Sequence, residues 1–135
     1  MGFTDSVRKC FKNYATFDGR SGRAEFWWFY LFTALVTIVA EIPGYVLMLI
    51  GAAMSNDNSL NAVFWIGLVL LILGSLVFLA FVVPYLAVGS RRLHDRGLSA
   101  WLLLILLVPC GSIVLIVLWI LEGTPGDNQY GPKPV

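Results

Sequence analysis

The sequence predicts an all-α integral membrane protein: a short N-terminal amphipathic interfacial helix followed by three transmembrane helices. Three observations carry that expectation. Of 135 residues, 59% are hydrophobic and only 13% are charged, with a mean hydropathy of +0.82, which is more apolar surface than a soluble domain of this length can bury. The charges are gathered into a few short segments, leaving three long apolar stretches between them. Basic residues are distributed unevenly among the connecting segments, as in proteins oriented across a bilayer.

Residues 3–15 form the first element. Phe3, Val7, Cys10, Phe11 and Tyr14 fall at i, i+4, i+7, i+8 and i+11, on one face of a helix, with Asp5, Arg8, Lys9 and Lys12 around the rest. Such a helix is expected to lie in the interface, its basic side near anionic headgroups. Residues 1–25 contain no apolar core, so no cleavable signal peptide is expected and the first span directs insertion.

Residues 26–54 are apolar apart from Glu41, residues 60–89 carry no charge, and residues 98–121 form a third uncharged run. Each reaches the ~20 residues a helix needs to cross hydrocarbon. The first two exceed it, and are expected to tilt, to bend at Pro43 and Pro84, or to protrude. Phe26 to Tyr30 and Trp101 stand where a headgroup-level aromatic belt belongs. Gly67 and Gly74 share one face of the second span, and that face is expected to meet another helix. Pro109, Gly111 and Ser112 predict a kink in the third. A re-entrant hairpin turning at "PCGS" is the other geometry, but its arms have only about half the length of a crossing, which favours a single span.

Five basic residues precede the first span, three lie in "RRLHDRG" at residues 91–97, and the loop "SNDNSLN" has none. The N-terminus and residues 91–97 are therefore expected in the cytoplasm, and three crossings would put the tail, residues 122–135, outside. Glycine and proline in that tail read as turns. Residues 1–135 are expected to form a single membrane domain without internal repeats.

Other function classes are disfavoured. Nine basic residues against eight acidic ones give a net charge of +1, which argues against nucleic acid as a partner. Two distant cysteines make no disulfide framework, and one histidine without a CxxC or HExxH pattern makes no metal site. No cofactor is expected.

Three polar motifs remain outside the spans: "FDGRSGRAEFWWF" at residues 17–29, "RRLHDRGLSAW" at 91–101 and "GTPGDNQYGP" at 123–132. Together they resemble the bacterial inner-membrane family called domain of unknown function 805, with its F-x-G-R-x-x-R-x-E-[FY]-W, R-R-L-H-D and G-T-x-G-x-N-x-[FY]-G-P patterns. The resemblance implies fold and membrane residence. It implies no activity and supplies no catalytic residues.

The first two motifs share the cytoplasmic side, so Arg20, Arg23, Arg91, Arg92 and Arg96 can surround Glu25 and Asp95, with His94 between them. Arginine forks suit bidentate pairing with carboxylate or phosphate. One reading is a site for an anionic group: a lipid headgroup, a phosphorylated ligand or an acidic segment of a partner. The other is structural, with basic segments fixing topology and ion pairs clamping helix ends. His94 as a catalytic base lacks a recognisable nucleophile, so no catalytic residue is assigned.

Glu41 is the one ionisable residue of the Asp, Glu, Lys, Arg or His type within the predicted spans. It sits at the outer interface if span one ends at "EIPG", and near the midplane, as a proton- or cation-handling group, if the helix runs through. The expected function is non-catalytic, through contacts with membrane lipids, a membrane-protein partner or further copies of the chain. A self-associating pore or transporter subunit, and an enzyme acting on lipid headgroups, are the alternatives from other classes.

Overall fold

The computed structural model describes residues 1–55 and 61–134, and among them every regular element is helical. Helix α1 spans Phe3–Lys12, α2 Arg23–Ala53 and α3 Ala62–Asp95; a 3-10 helix at Ala100–Leu107 and α4 at Gly111–Ile120 follow. The loop "SNDNSLN" falls largely on residues 56–60, which lie outside the described residues, as does the start of the second span at residue 60. The chain forms two compact units, Met1–Leu31 with Val83–Val135, and Phe32–Val82.

The unit Phe32–Val82 pairs stretches of α2 and α3 running antiparallel. Glycines bring the two backbones together: a β-carbon on Gly44 would stand 2.7 Å from the Leu71 nitrogen, and one on Gly74 2.9 Å from the Ala40 carbonyl. Gly67 faces Met48 and Gly44 in the same way, so the Gly67 and Gly74 face does meet another helix. The outward surface is apolar, with Val39 and Leu49 each 70% exposed, an arrangement that hydrocarbon rather than water solvates. Helix α2 continues through Glu41 and Pro43, so the span does not end at "EIPG". Among the described residues Glu41 has no ion-pair partner, and its Cγ lies beside Gly74, 3.2 Å from where a β-carbon would stand.

In the other unit, α1 packs on the start of α2. Phe3 meets Trp28 and Phe11 meets Phe29 edge to face, each at 5.8 Å, and Cys10 is buried beneath them. Part of the apolar face of α1 therefore covers α2. The helix ends at Lys12, where both the backbone and the side-chain nitrogen of Asn13 donate to the Lys9 carbonyl; residues 13–15, expected within it, form a turn.

Three expectations need correction here. The segment "RRLHD" is not a loop, because α3 extends to Asp95. Its cations sit in the last turn, where the helix dipole favours them, and Gly97 at φ +73 closes the helix. The Leu98 amide bonds the Leu93 carbonyl and the Gly97 amide bonds that of His94, the pairing of a Schellman cap.

The third apolar segment is helical but not continuous. The Ser99 hydroxyl caps the 3-10 helix by accepting from the Trp101 amide at 3.3 Å. The chain then reverses at Val108 to Gly111, where Cys110 adopts φ +64 and the Gly111 amide bonds the Val108 carbonyl. A β-carbon at Gly111 would overlap the Ile105 carbonyl, so the turn requires glycine. Leu103 from one arm and Trp119 from the other both approach Gly89 on α3. At ~2.0 Å per residue for the 3-10 helix and ~1.5 Å for α4, each arm rises only about 15 Å, half the hydrocarbon thickness.

The reversal relocates the tail. Arg96 donates to the Leu118 carbonyl and Arg92 to those of Trp119 and Leu121, so the end of α4 lies beside the end of α3. Residues 122–134 continue against His94 and Asp95, so the tail lies beside residues 91–97 and not across a third span from them as expected. Length alone favours one continuous helix here; the glycine-dependent turn divides the segment into two short arms.

Candidate functional site

Residues of the first motif reach this site from the turn before α2 and from its first turn. Ser21 donates its amide to the Arg91 carbonyl at 3.0 Å, and the Ser90 hydroxyl donates to the Phe17 carbonyl at 3.1 Å, locking residues 17–22 along the end of α3. That fixes Arg20 over Asp95. Arg20 Nε and Nη2 donate to Asp95 Oδ1 at 3.0 and 2.8 Å, and the Arg92 Nη1 donates to Oδ2 of the same carboxylate. Asp95 thus joins two arginines.

Glu25 forms a second centre. Its Oε1 accepts from Arg91 Nη1 at 2.6 Å and its Oε2 pairs with Lys9 Nζ at 2.7 Å, while the Cys10 thiol lies 4.0 Å from Oε1. Among the described residues, Arg91 Nε and Nη2 and the hydroxyl of buried Ser21 have no hydrogen-bond partner. Burial, and secondarily the charge of Glu25, push the Cys10 thiol up to about 12.

The third motif completes the enclosure. The Thr124 amide and hydroxyl donate to the Asp95 carbonyl at 2.8 and 3.1 Å, and Arg20 donates to the carbonyls of Thr124, Gly126 and Gly131. The Asn128 side chain bridges the His94 carbonyl and the Thr124 hydroxyl at 2.9 and 3.0 Å. His94 stacks on Tyr130, rings 3.9 Å apart and within 5° of parallel, while its Nδ1 meets the Gly19 carbonyl at 3.1 Å. Since a carbonyl only accepts, that nitrogen carries the proton.

Of the eight residues singled out from the sequence, Arg20, Glu25, Arg91, Arg92, His94 and Asp95 are brought together and buried. Arg23 and Arg96 stand at the margin. Arg23 forms an exposed pair with Glu122 at 3.0 Å, and Arg96 donates to Leu118. Removal from water is costly for these charges, and each buried carboxylate is met by two cations. Sequence reasoning missed Lys9, Glu122 and the tail. The "GTPGDNQYGP" turn chemistry was visible, but its carbonyls and its Asn128 and Tyr130 side chains become partners only once the chain reverses at residues 108–111.

Beside this cluster lies a cavity of about 250 Å³, lined among others by Gly22, Arg23, Arg92, Asp95, Glu122 and Lys133. Gly123 also lines it, and a β-carbon there would overlap the Asp95 carboxylate.

All three motifs therefore converge on one end of one unit. The sequence matches the family described as Protein of unknown function (DUF805) across residues 14–132, which includes all three. The chain belongs to that family. This DUF805 chain is 38% identical over 131 residues to Inner membrane protein YhaH of Escherichia coli (strain K12), covering 96% of each chain. It is 39% identical over 124 residues to Inner membrane protein YhaI of the same strain, covering 91% of this chain and 89% of the relative. No solved structure matches. In DUF805 terms, the geometry gives each of the three motifs a partner in the other two.

Proposed function

We propose that this chain is a non-catalytic, multi-pass protein of the bacterial inner membrane that holds an anionic lipid headgroup at its cytoplasmic face. The carrying observation is the 250 Å³ recess. Arg23, Arg92 and Lys133 line it, and Arg20 bears on its Asp95 from behind, so four cations face two carboxylates. It lies at the N-terminal end of the 31-residue helix α2, whose first amides favour an anion. Asp95, Glu25 and the buried arginines serve as the clamp that shapes this end, which leaves the ligand to Lys133 and to Arg23, the latter by exchange of its exposed pair with Glu122.

Orientation follows the same distribution. All nine lysines and arginines belong to the unit Met1–Leu31 with Val83–Val135. The positive-inside rule puts α1, the end of α3 and the returning tail in the cytoplasm, and makes residues 98–121 a re-entrant hairpin. His94 is engaged at Nδ1 and on its ring face, which supports a positioning role over that of a base.

The test is lipid retention. Protein exchanged into nanodiscs of equal phosphatidylglycerol and phosphatidylcholine, then released and weighed intact by mass spectrometry, should keep phosphatidylglycerol about tenfold over phosphatidylcholine. Arg23→Gln with Lys133→Gln should bring the ratio to one. Equal retention by the unaltered protein would overturn the reading.

A further inference from the structure

A second cavity, of about 300 Å³, lies in the same unit, and its walls are aromatic: Phe26, Trp27, Tyr30, Tyr85 and Trp119, with Ile116 beside them. The rings brace one another. Phe26 packs on Trp119 at 4.6 Å, Tyr85 meets Trp119 edge-on at 6.0 Å, and Trp27 meets Tyr30 at 5.5 Å. Leu106 and Ser112, one from each arm of the hairpin, also line it. Phe26 and Trp119 are buried, so those two walls are fixed by packing, while Tyr30 is exposed at the edge.

The cavity is coupled to the polar recess in two ways. Trp119 donates its indole N–H to the Gly89 carbonyl at 3.2 Å, and its own carbonyl accepts from Arg92 Nε at 3.1 Å; Arg92 in turn lines the recess. Along α2, Arg23 of the recess and Phe26, Trp27 and Tyr30 of the cavity fall at i, i+3, i+4 and i+7, one stripe. From Arg23 to Tyr30 is a rise of ~10 Å. A cationic recess thus continues along one helix face into a slot of hydrocarbon character.

The geometry points to an amphiphile site: the aromatic cavity takes the upper acyl chain of the acidic phospholipid whose headgroup occupies the recess. This rests on the headgroup reading above and specifies the ligand as a two-part molecule rather than a free phosphate. A soluble anion would fill the recess and leave the aromatic slot unused. A choline headgroup seated in the aromatic rings is the competing fit, because Trp and Tyr faces attract quaternary ammonium.

Full-length protein in detergent distinguishes these. Phosphatidylglycerol with 16-carbon chains, phosphatidylcholine with the same chains and glycerol 3-phosphate are titrated separately, with bound mass read on the intact protein. Phosphatidylglycerol should bind at least tenfold tighter than either of the others, and millimolar glycerol 3-phosphate should not displace it. Ile116→Trp and the smaller Ser112→Leu, which fill the cavity, should each weaken phosphatidylglycerol about tenfold. If both leave it unchanged while Arg23→Gln with Lys133→Gln abolishes acidic-lipid preference, the chain site fails and the headgroup reading stands. If the charge variants have no effect and cavity filling weakens both lipids alike, the headgroup reading fails. Tighter binding of phosphatidylcholine overturns both. A measurement free of substitutions guards against misfolding: phosphatidylglycerol with a diazirine in its upper chain should crosslink within residues 26–30 or 112–119, and crosslinks confined to 32–82 would overturn the inference.

Discussion

Arg20 and Asp95, 75 residues apart, are joined by two hydrogen bonds from one guanidinium to a single carboxylate oxygen, and Arg92 holds the other oxygen. Neutralising Asp95 leaves two buried guanidinium groups without their anion. Asp95→Asn should therefore cost about 3–5 kcal/mol, the range for breaking a buried pair from one side. Thermal unfolding in detergent reads it, and an unchanged midpoint would show that Asp95 is dispensable to the clamp. Arg20→Lys keeps the charge but loses the fork, and should fall between the two.

The stack of His94 on Tyr130 gives a smaller effect. Tyr130→Phe preserves the ring face and should be neutral. Tyr130→Ala removes it, should cost about 0.5–1.5 kcal/mol beyond lost area, and should raise the rate of proteolysis in residues 122–134. Equal protection of both variants would mean that the ring contributes nothing.

Cys10 should be chemically silent. Its thiol is held near 12 against an ordinary 9.0, so the thiolate fraction at pH 8 falls by roughly 1,000-fold. In a Cys110→Ser background, alkylation of native protein should lag that of unfolded protein by roughly tenfold or more, because the higher nucleophilicity of a high-pKa thiolate offsets only part of the lost thiolate fraction. The folded value is the raised one, so the thiol's contribution to stability is complete below pH 9.0 and is lost as pH rises toward about 12.

Topology is testable with exposed positions. In protein whose two native cysteines are replaced by serine, cysteines at Asp5 and Gln129 should both react with an impermeant maleimide in inside-out vesicles and neither in intact spheroplasts. Opposite behaviour of the two sites would restore a crossing third segment.

Gly67 tests the other unit. A β-carbon there would stand 2.5 Å from the Met48 nitrogen, a backbone atom with no rotamer to escape into. Gly67→Ala should cost about 1–3 kcal/mol by forcing the helices apart, and Gly67→Leu more. A chain that tolerates leucine there has no close helix contact.

Much of this was legible in sequence because apolar length and charge placement act locally. The spans over residues 26–54 and 60–89 correspond to α2 and α3, and the stripe of Gly67 and Gly74 is a packing face. Arginine, glutamate and aspartate types also foretold pairing. What was not legible depends on one turn. Cys110 in a left-handed conformation and Gly111 against Ile105 send the chain back, and neither residue differs in composition from an ordinary kink. From that turn follow the position of the tail, the partners of Arg20, and the pairing of Arg23 with Glu122.

The carbonyls of Thr124, Gly126 and Gly131 complete the bonding of Arg20 from 104 to 111 residues downstream. Arg20 therefore leaves the ribosome long before its partners do, and until residues 124–131 are made its guanidinium is unmet on that side. A chain cut before Thr124 would keep α2 and α3 and still present an open, charged end to that unit. Closure of the first motif is thus a late event in the order of synthesis, set by the distance along the chain between a cation and the carbonyls that satisfy it.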